Sequence, residues 1–145
     1  MAIERTGKAK EHWDHAQELY EQVKENYSKA DIEKAIAEYG EAIKLLPKDA
    51  ECYSRRAACY IRAGQREKAI ADYNKAVSSE PKEAQYYYAR CELYLRLGKT
   101  KKALADLVKA AKVDPGRADA FYESYNRVNN EIARDRYEVD LSSRR

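Results

Sequence analysis

Residues 50–81 read AECYSRRAACYIRAGQREKAIADYNKAVSSEP, and this stretch decides the fold. Its first half sets Cys52, Tyr53, Arg56, Ala57 and Tyr60 at i, i+3, i+4 spacing, the mark of one helix face turned toward a core. Gly64 then stops the run and supplies the backbone freedom for a tight reversal. The second half repeats the pattern with Ala69, Ile70, Tyr73, Ala76 and Val77 until Pro81, which cannot continue a helix interior. The spacing predicts helices over 50–63 and 66–79. Only a few residues join them, so they must lie antiparallel.

The same unit recurs on either side. Pro47, Pro81 and Pro115 stand 34 residues apart, and so do Ala35, Ala69 and Ala103, then Ala42, Ala76 and Ala110. The step also links Tyr39, Tyr73 and Leu107, and Ala16, Ala50, Ala84 and Ala118. It links Leu19, Tyr53, Tyr87 and Phe121, and the turn positions Ala30, Gly64 and Gly98. Helices are therefore expected over 8–28, 31–46, 84–97 and 100–113 as well, with a last one over 118–137. The small residues let the second helix of each unit approach the first, and Tyr39 and Tyr73 fill the wider space beside them. One hairpin cannot bury its apolar face alone, so the units must stack, and the last needs a cap. Ala118, Phe121, Tyr125 and Val128 repeat the first-helix pattern, while Asn126, Asn129, Asn130 and Glu131 make that helix wet.

Composition agrees with a helical chain. Hydrophobic residues make up 44% and charged residues 37%, with five Gly and three Pro, a balance that excludes disorder and collagen-like structure. Thirteen Tyr stand against one Phe and one Trp; tyrosine suits half-buried helix faces and interfaces. The net charge of +3 leaves no basic excess of the kind nucleic-acid binding requires. No run approaches 18 apolar residues, so no membrane span is expected, and residues 1–10 lack the apolar core of a signal peptide. Cys52, Cys59 and Cys91 lie inside helical patterns and read as reduced, buried thiols of a cytoplasmic protein.

The sequence resembles the tetratricopeptide repeat (TPR). That family's pattern is an aromatic, a small residue, Tyr, Gly, Ala, a large aromatic, Ala and Pro. The second unit meets it throughout with Tyr53, Ala57, Tyr60, Gly64, Ala69, Tyr73, Ala76 and Pro81. The third carries Tyr87, Tyr94, Gly98, Ala103, Ala110 and Pro115, but has Cys91 in the small column and Leu107 in the aromatic one. The first is loosest, with Leu19, Val23, Asn26 and Ala30. The resemblance implies an all-α fold: an α-solenoid, a right-handed superhelix of three TPR hairpins plus a C-terminal capping helix. The expected divisions are an N-terminal extension of the first helix over 1–15, repeats over 16–49, 50–83 and 84–117, a cap over 118–137, and a flexible tail over 138–145.

The resemblance also implies a concave face lined by the first helix of each hairpin, where extended peptides lie. The family's groove columns fall on Tyr20, Lys24 and Tyr27 in the first unit, and on Ser54, Arg55, Ala58, Ile61 and Arg62 in the second. The third contributes Tyr88, Glu92, Leu95 and Arg96, and the cap Tyr122 and Asn126. Arginine grips carboxylates bidentately and tyrosine supplies rigid contact area, so an acidic-apolar segment suits this set. The flavour is nearest to three-repeat co-chaperone domains, whose groove clamps a chaperone's C-terminal carboxylate with two Lys, two Asn and one Arg. Those columns here hold Tyr20, Lys24, Arg55, Gln85 and Ala89, so the standard clamp is absent.

His12 and His15 could hold a metal with Glu11, but a structural site needs more ligands, and surface histidines are the expectation. No phosphate loop, nucleophile elbow or paired acid in a cleft is present, so no catalytic residues and no cofactor are expected. The lysines at 99, 101, 102, 109 and 112 read as solubilising charges. The expected function is a protein–protein interaction adaptor or scaffold, a monomer or weak homo-oligomer. Alternatives are non-standard capture of chaperone tails, or a self-assembly module packing through the Trp13 end or Tyr86, Tyr87 and Tyr88.

Overall fold

The computed structural model describes residues 3–145. The described residues form seven α-helices and one short 3₁₀ turn, with no strand. They are α1 (Gly7–Glu25), α2 (Lys29–Leu45), α3 (Ala50–Arg62), α4 (Arg66–Ser79), α5 (Ala84–Arg96), α6 (Thr100–Val113) and α7 (Ala118–Ser143). The chain divides into two compact units, Met1–Pro81 with α1 to α4, and Lys82–Arg145 with α5 to α7.

The turn after α3 shows why glycine sits there. Gly64 adopts φ +74°, the left-handed region that a side chain disfavours. Its N–H reaches the Ile61 carbonyl at 3.0 Å, and the Gln65 N–H reaches the Tyr60 carbonyl at 2.8 Å. This paired closure satisfies the last carbonyls of the helix and reverses the chain. Gly98 repeats it with φ +74° and the matching bonds to Leu95 and Tyr94.

The first turn is built differently. Ala30, in the glycine column, lies inside α2, and α1 stops at Glu25 rather than at the expected residue 28. Asn26 is extended, and the Ser28 hydroxyl accepts the Asp31 N–H at 3.3 Å, capping α2. With no glycine to bend the chain after a longer helix, three residues must make the turn.

The first unit's core holds Ala16, Leu19, Val23, Ile32, Ala35, Tyr39 and Cys59, with Trp13, Tyr20 and Ile36 packed on it. Trp13 meets Tyr39 edge-on at 5.6 Å, and the fully buried Tyr39 hydroxyl donates to the Gln17 carboxamide. Ahead of α1, Arg5 reaches across to the start of α3. It donates twice to Asp49, at 2.7 and 2.9 Å, once to Glu51 at 2.8 Å, and stacks over Trp13 at 3.6 Å. Burial opposes that charge, but the hydrogen bonds to Asp49 and Glu51 outweigh it and raise the Arg5 pKa. Asp49 in turn caps α3 through the Cys52 N–H at 3.4 Å.

In the second unit α7 packs along α5, with Tyr88 stacked on Phe121 at 5.2 Å. It runs on to Ser143, past the expected end at 137, so residues 138–143 are helix rather than loose tail. No Gly or Pro interrupts 138–143, and Arg144 pairs back to Asp140 at 2.9 Å.

Candidate functional site: a tyrosine and arginine face

In the first unit the expected groove residues of α1 and α3 converge. The Tyr20 ring, half-buried against the core, lies between two cations: Lys24 Nζ is 4.8 Å from its centroid and Arg62 Cζ is 5.6 Å away. Lys24 and Tyr20 are one helical turn apart on α1, while Arg62 comes from the last turn of α3. Face-on cations are drawn to the negative face of the ring, which orders two long side chains at an exposed surface. Ser54, Arg55, Ala58 and Ile61 are part-exposed along the same stretch of α3. Arg55 and Lys24 each pair with an exposed carboxylate of their own helix, Glu51 at 3.6 Å and Glu21 at 2.9 Å. Exposed pairs of this kind are worth little and exchange readily for another carboxylate.

Tyr27 does not join this face as a helix residue. It sits in the α1–α2 turn and is 69% exposed.

The second unit departs further from expectation. Tyr88 and Leu95 are buried rather than open to a ligand, and Tyr88 is stacked on Phe121 of α7. The Tyr88 hydroxyl shares a hydrogen bond with Ser124, and burial raises its pKa. Tyr87 is buried too, which leaves that part of the tyrosine cluster little surface for self-assembly. What stays accessible is Glu92 and Arg96, tied to each other at 3.5 Å, with Arg96 also 3.9 Å from Glu131. Tyr122 and Asn126 are exposed on α7.

Two features of the hairpins escape the face-by-face reading. Arg56 grips buried Asp72 with two bonds of 2.8 Å, and Arg90 grips buried Asp106 at 2.8 and 2.7 Å. Each pair joins the first helix of a hairpin to the second, and hydrogen bonding to the carboxylate raises both arginine pKa values. The first repeat has Gln22 and Glu38 in these columns, and Glu38 is met instead by His12 Nδ1 at 2.5 Å and His15 Nδ1 at 3.4 Å. The histidines are therefore oriented by α2 rather than simply solvated. Lysines follow the step as well: Lys68 lies over Tyr60 and Lys102 over Tyr94, each at 5.7 Å. Repetition of Arg56 and Asp72 at 90 and 106 was the available signal.

The thiols of Cys52, Cys59 and Cys91 are free and buried, and burial pushes each up to about 12. They are protonated small core residues. No helix among the described residues is long and apolar enough to cross a membrane.

Two family models described as tetratricopeptide repeat match residues 26–93 and 84–117. Among solved structures, the chain is similar to the TPR2B domain of yeast Sti1, determined as a complex with pHsp70. Identity is 29% and the TM-score 0.71, covering 86% of this chain and 98% of that one. It is also similar to the TPR2AB domain of yeast Sti1, in complex with pHSP90, at 28% identity and a TM-score of 0.64; 83% of this chain and 50% of that one are covered. The second TPR domain of human RPAP3, at 19% identity, shares the fold with a TM-score of 0.70 over 83% of this chain and 94% of that one. Helix order, turn chemistry and these likenesses agree: the chain belongs to the tetratricopeptide-repeat family, as an all-α protein–protein interaction module.

Proposed function

We propose that this protein is a cytoplasmic adaptor whose α1–α3 face holds an extended, acidic-apolar segment of a partner protein. The observation that carries this reading is the Tyr20 ring met by both Lys24 and Arg62. A side chain laid on the part-exposed tyrosine gains rigid apolar contact while a neighbouring carboxylate meets two cations. Domains of this family are typically non-enzymatic, and the buried, protonated thiols offer no nucleophile.

A second reading follows from the likeness to yeast Sti1, whose TPR2B domain was solved with pHsp70. Here Lys24 and Arg55 stand in two of the asparagine columns of the family's carboxylate clamp, so a chain-terminal carboxylate would be held by charge rather than by amide hydrogen bonds.

The test is anisotropy titration of a fluorescein-labelled peptide alternating Glu or Asp with Leu, made with a free and with an amidated C-terminus. Lys24→Glu with Arg62→Glu should weaken binding at least about tenfold, the size of one lost charge-assisted contact, and flatten its salt dependence. Unchanged affinity and salt slope would discard the face as a binding site. A strong preference for the free carboxylate favours tail capture over internal-segment binding.

A further inference from the structure

The far half of α7 lacks a covering. The helix is 26 residues long, about 39 Å, against 13 residues and about 20 Å for α5 beneath it. Its buried residues are Phe121, Tyr125 and Val128; from 133 onward every residue is exposed. The stretch 133–143, exposed throughout, is shorter than the roughly 12–15 residues below which an isolated helix is marginal in water. Yet it carries Tyr137 at 64% exposure, Val139 at 67% and Leu141 at 40%.

The charges around Tyr137 identify what covers it. With Tyr137 turned to a partner, Ala133 and Leu141 lie within about 40° of it, so the three form one stripe at 3.6 residues per turn. Arg134 and Glu138 edge one flank of the stripe; Arg136 and Asp140 edge the other. A second copy laid antiparallel, with the two-fold axis through Tyr137, sets Leu141 across from Ala133. On one flank Arg134 then falls about 3 Å along the axis from the mate's Glu138, at 1.5 Å rise per residue. On the other flank Arg136 falls the same distance from the mate's Asp140. Each flank then holds two contacts between opposite charges, while the like pairs, Glu138 with the mate's Glu138 and Arg136 with the mate's Arg136, stand about 100° from Tyr137, farther from the seam. Asp140 exchanges its exposed tie to Arg144 for the mate's Arg136.

We propose that the overhanging end of α7 is a self-association surface, through which two copies of this chain pair antiparallel about Tyr137. The patch is small, so the dimer is weak, with a dissociation constant of about 100 µM.

Sedimentation equilibrium from about 10 to 500 µM, bracketing that constant, tests it. The wild-type weight-average mass should rise from 16.8 kDa toward twice that value. Arg134→Glu and Glu138→Arg should each stay monomeric, because each sets like charges face to face twice. Mixed in equal amounts, the two variants should associate. In the mixed pair, positions 134 and 138 are both acidic in one copy and both basic in the other, so both contacts on that flank are again between opposite charges. Loss of helix within either variant cannot produce that rescue. A wild-type monomer throughout, a dimer indifferent to both substitutions, or a mixture that stays monomeric would each overturn the proposal.

Discussion

Arg56 and Asp72 face one another through two parallel hydrogen bonds of 2.8 Å, joining α3 to α4, and 34 residues later Arg90 and Asp106 do the same for α5 and α6. The carboxylates are buried, at 5% and 7% side-chain exposure, while each guanidinium keeps about a fifth of its surface in water. Desolvation makes such a pair costly to assemble but costlier to break, because the survivor is left charged and unpaired.

Arg56→Ala should therefore destabilise the first unit by about 2–4 kcal/mol, allowing for the partial exposure of the arginine. Asp72→Ala should do the same, while Arg56→Met combined with Asp72→Leu should lie much closer to wild type. Urea denaturation followed by circular dichroism measures all three. A double replacement as damaging as either single would show that the pair itself, and not the stranded charge, carries the stability.

Tyr88 is the link between α5 and α7 in the second unit. Tyr88→Ala removes the stack on Phe121 and should cost about 3–5 kcal/mol, the range for deleting a large core ring. Tyr88→Phe keeps the stack, loses only the Ser124 hydrogen bond, and should cost about 1 kcal/mol. Differential scanning calorimetry separates the two; equal losses would mean the hydroxyl rather than the ring holds α7.

The thiols give stability an alkaline limit. Their folded pKa values, about 12, lie above the ordinary value of 9.0, because burial disfavours the thiolate. The native state thus keeps protons that the unfolded chain releases. Stability from this source is fully present below pH 9 and falls as pH rises from there toward 12, by at most about 1.4 kcal/mol per pH unit per thiol. Iodoacetamide labelling at pH 8 should accordingly be slow in buffer and fast in urea. Labelling at equal rates in both would place the cysteines on the surface.

The hairpins were legible because their punctuation is local. Gly64 and Gly98 are demanded by backbone geometry that other residues resist, and the alanine columns by close helix approach, so both recur at a strict 34 residues. The site was half legible. Tyr20, Lys24 and Arg62 come together because α1 and α3 present regular helix faces. Tyr88 and Leu95 are buried instead, and for Tyr88 the cause is a later helix, α7, whose Phe121 stacks on it. Tyr27 left its helix because the first turn, lacking glycine, uses three residues. The end of α7 was misplaced for a different reason: breakers mark helix ends clearly, and their absence from 138 to 143 is a quiet signal.

The two arginine–aspartate clasps also bear on how quickly this chain finds its fold. Each spans only 16 residues of sequence, and closing a loop that short costs little entropy compared with joining distant segments. A hairpin can therefore lock its own two helices before any neighbour arrives, and contacts this local belong to chains that fold in microseconds to milliseconds. The third repeat need not wait for the second: either can be the seed from which order spreads, including while the rest of the polypeptide is still being made.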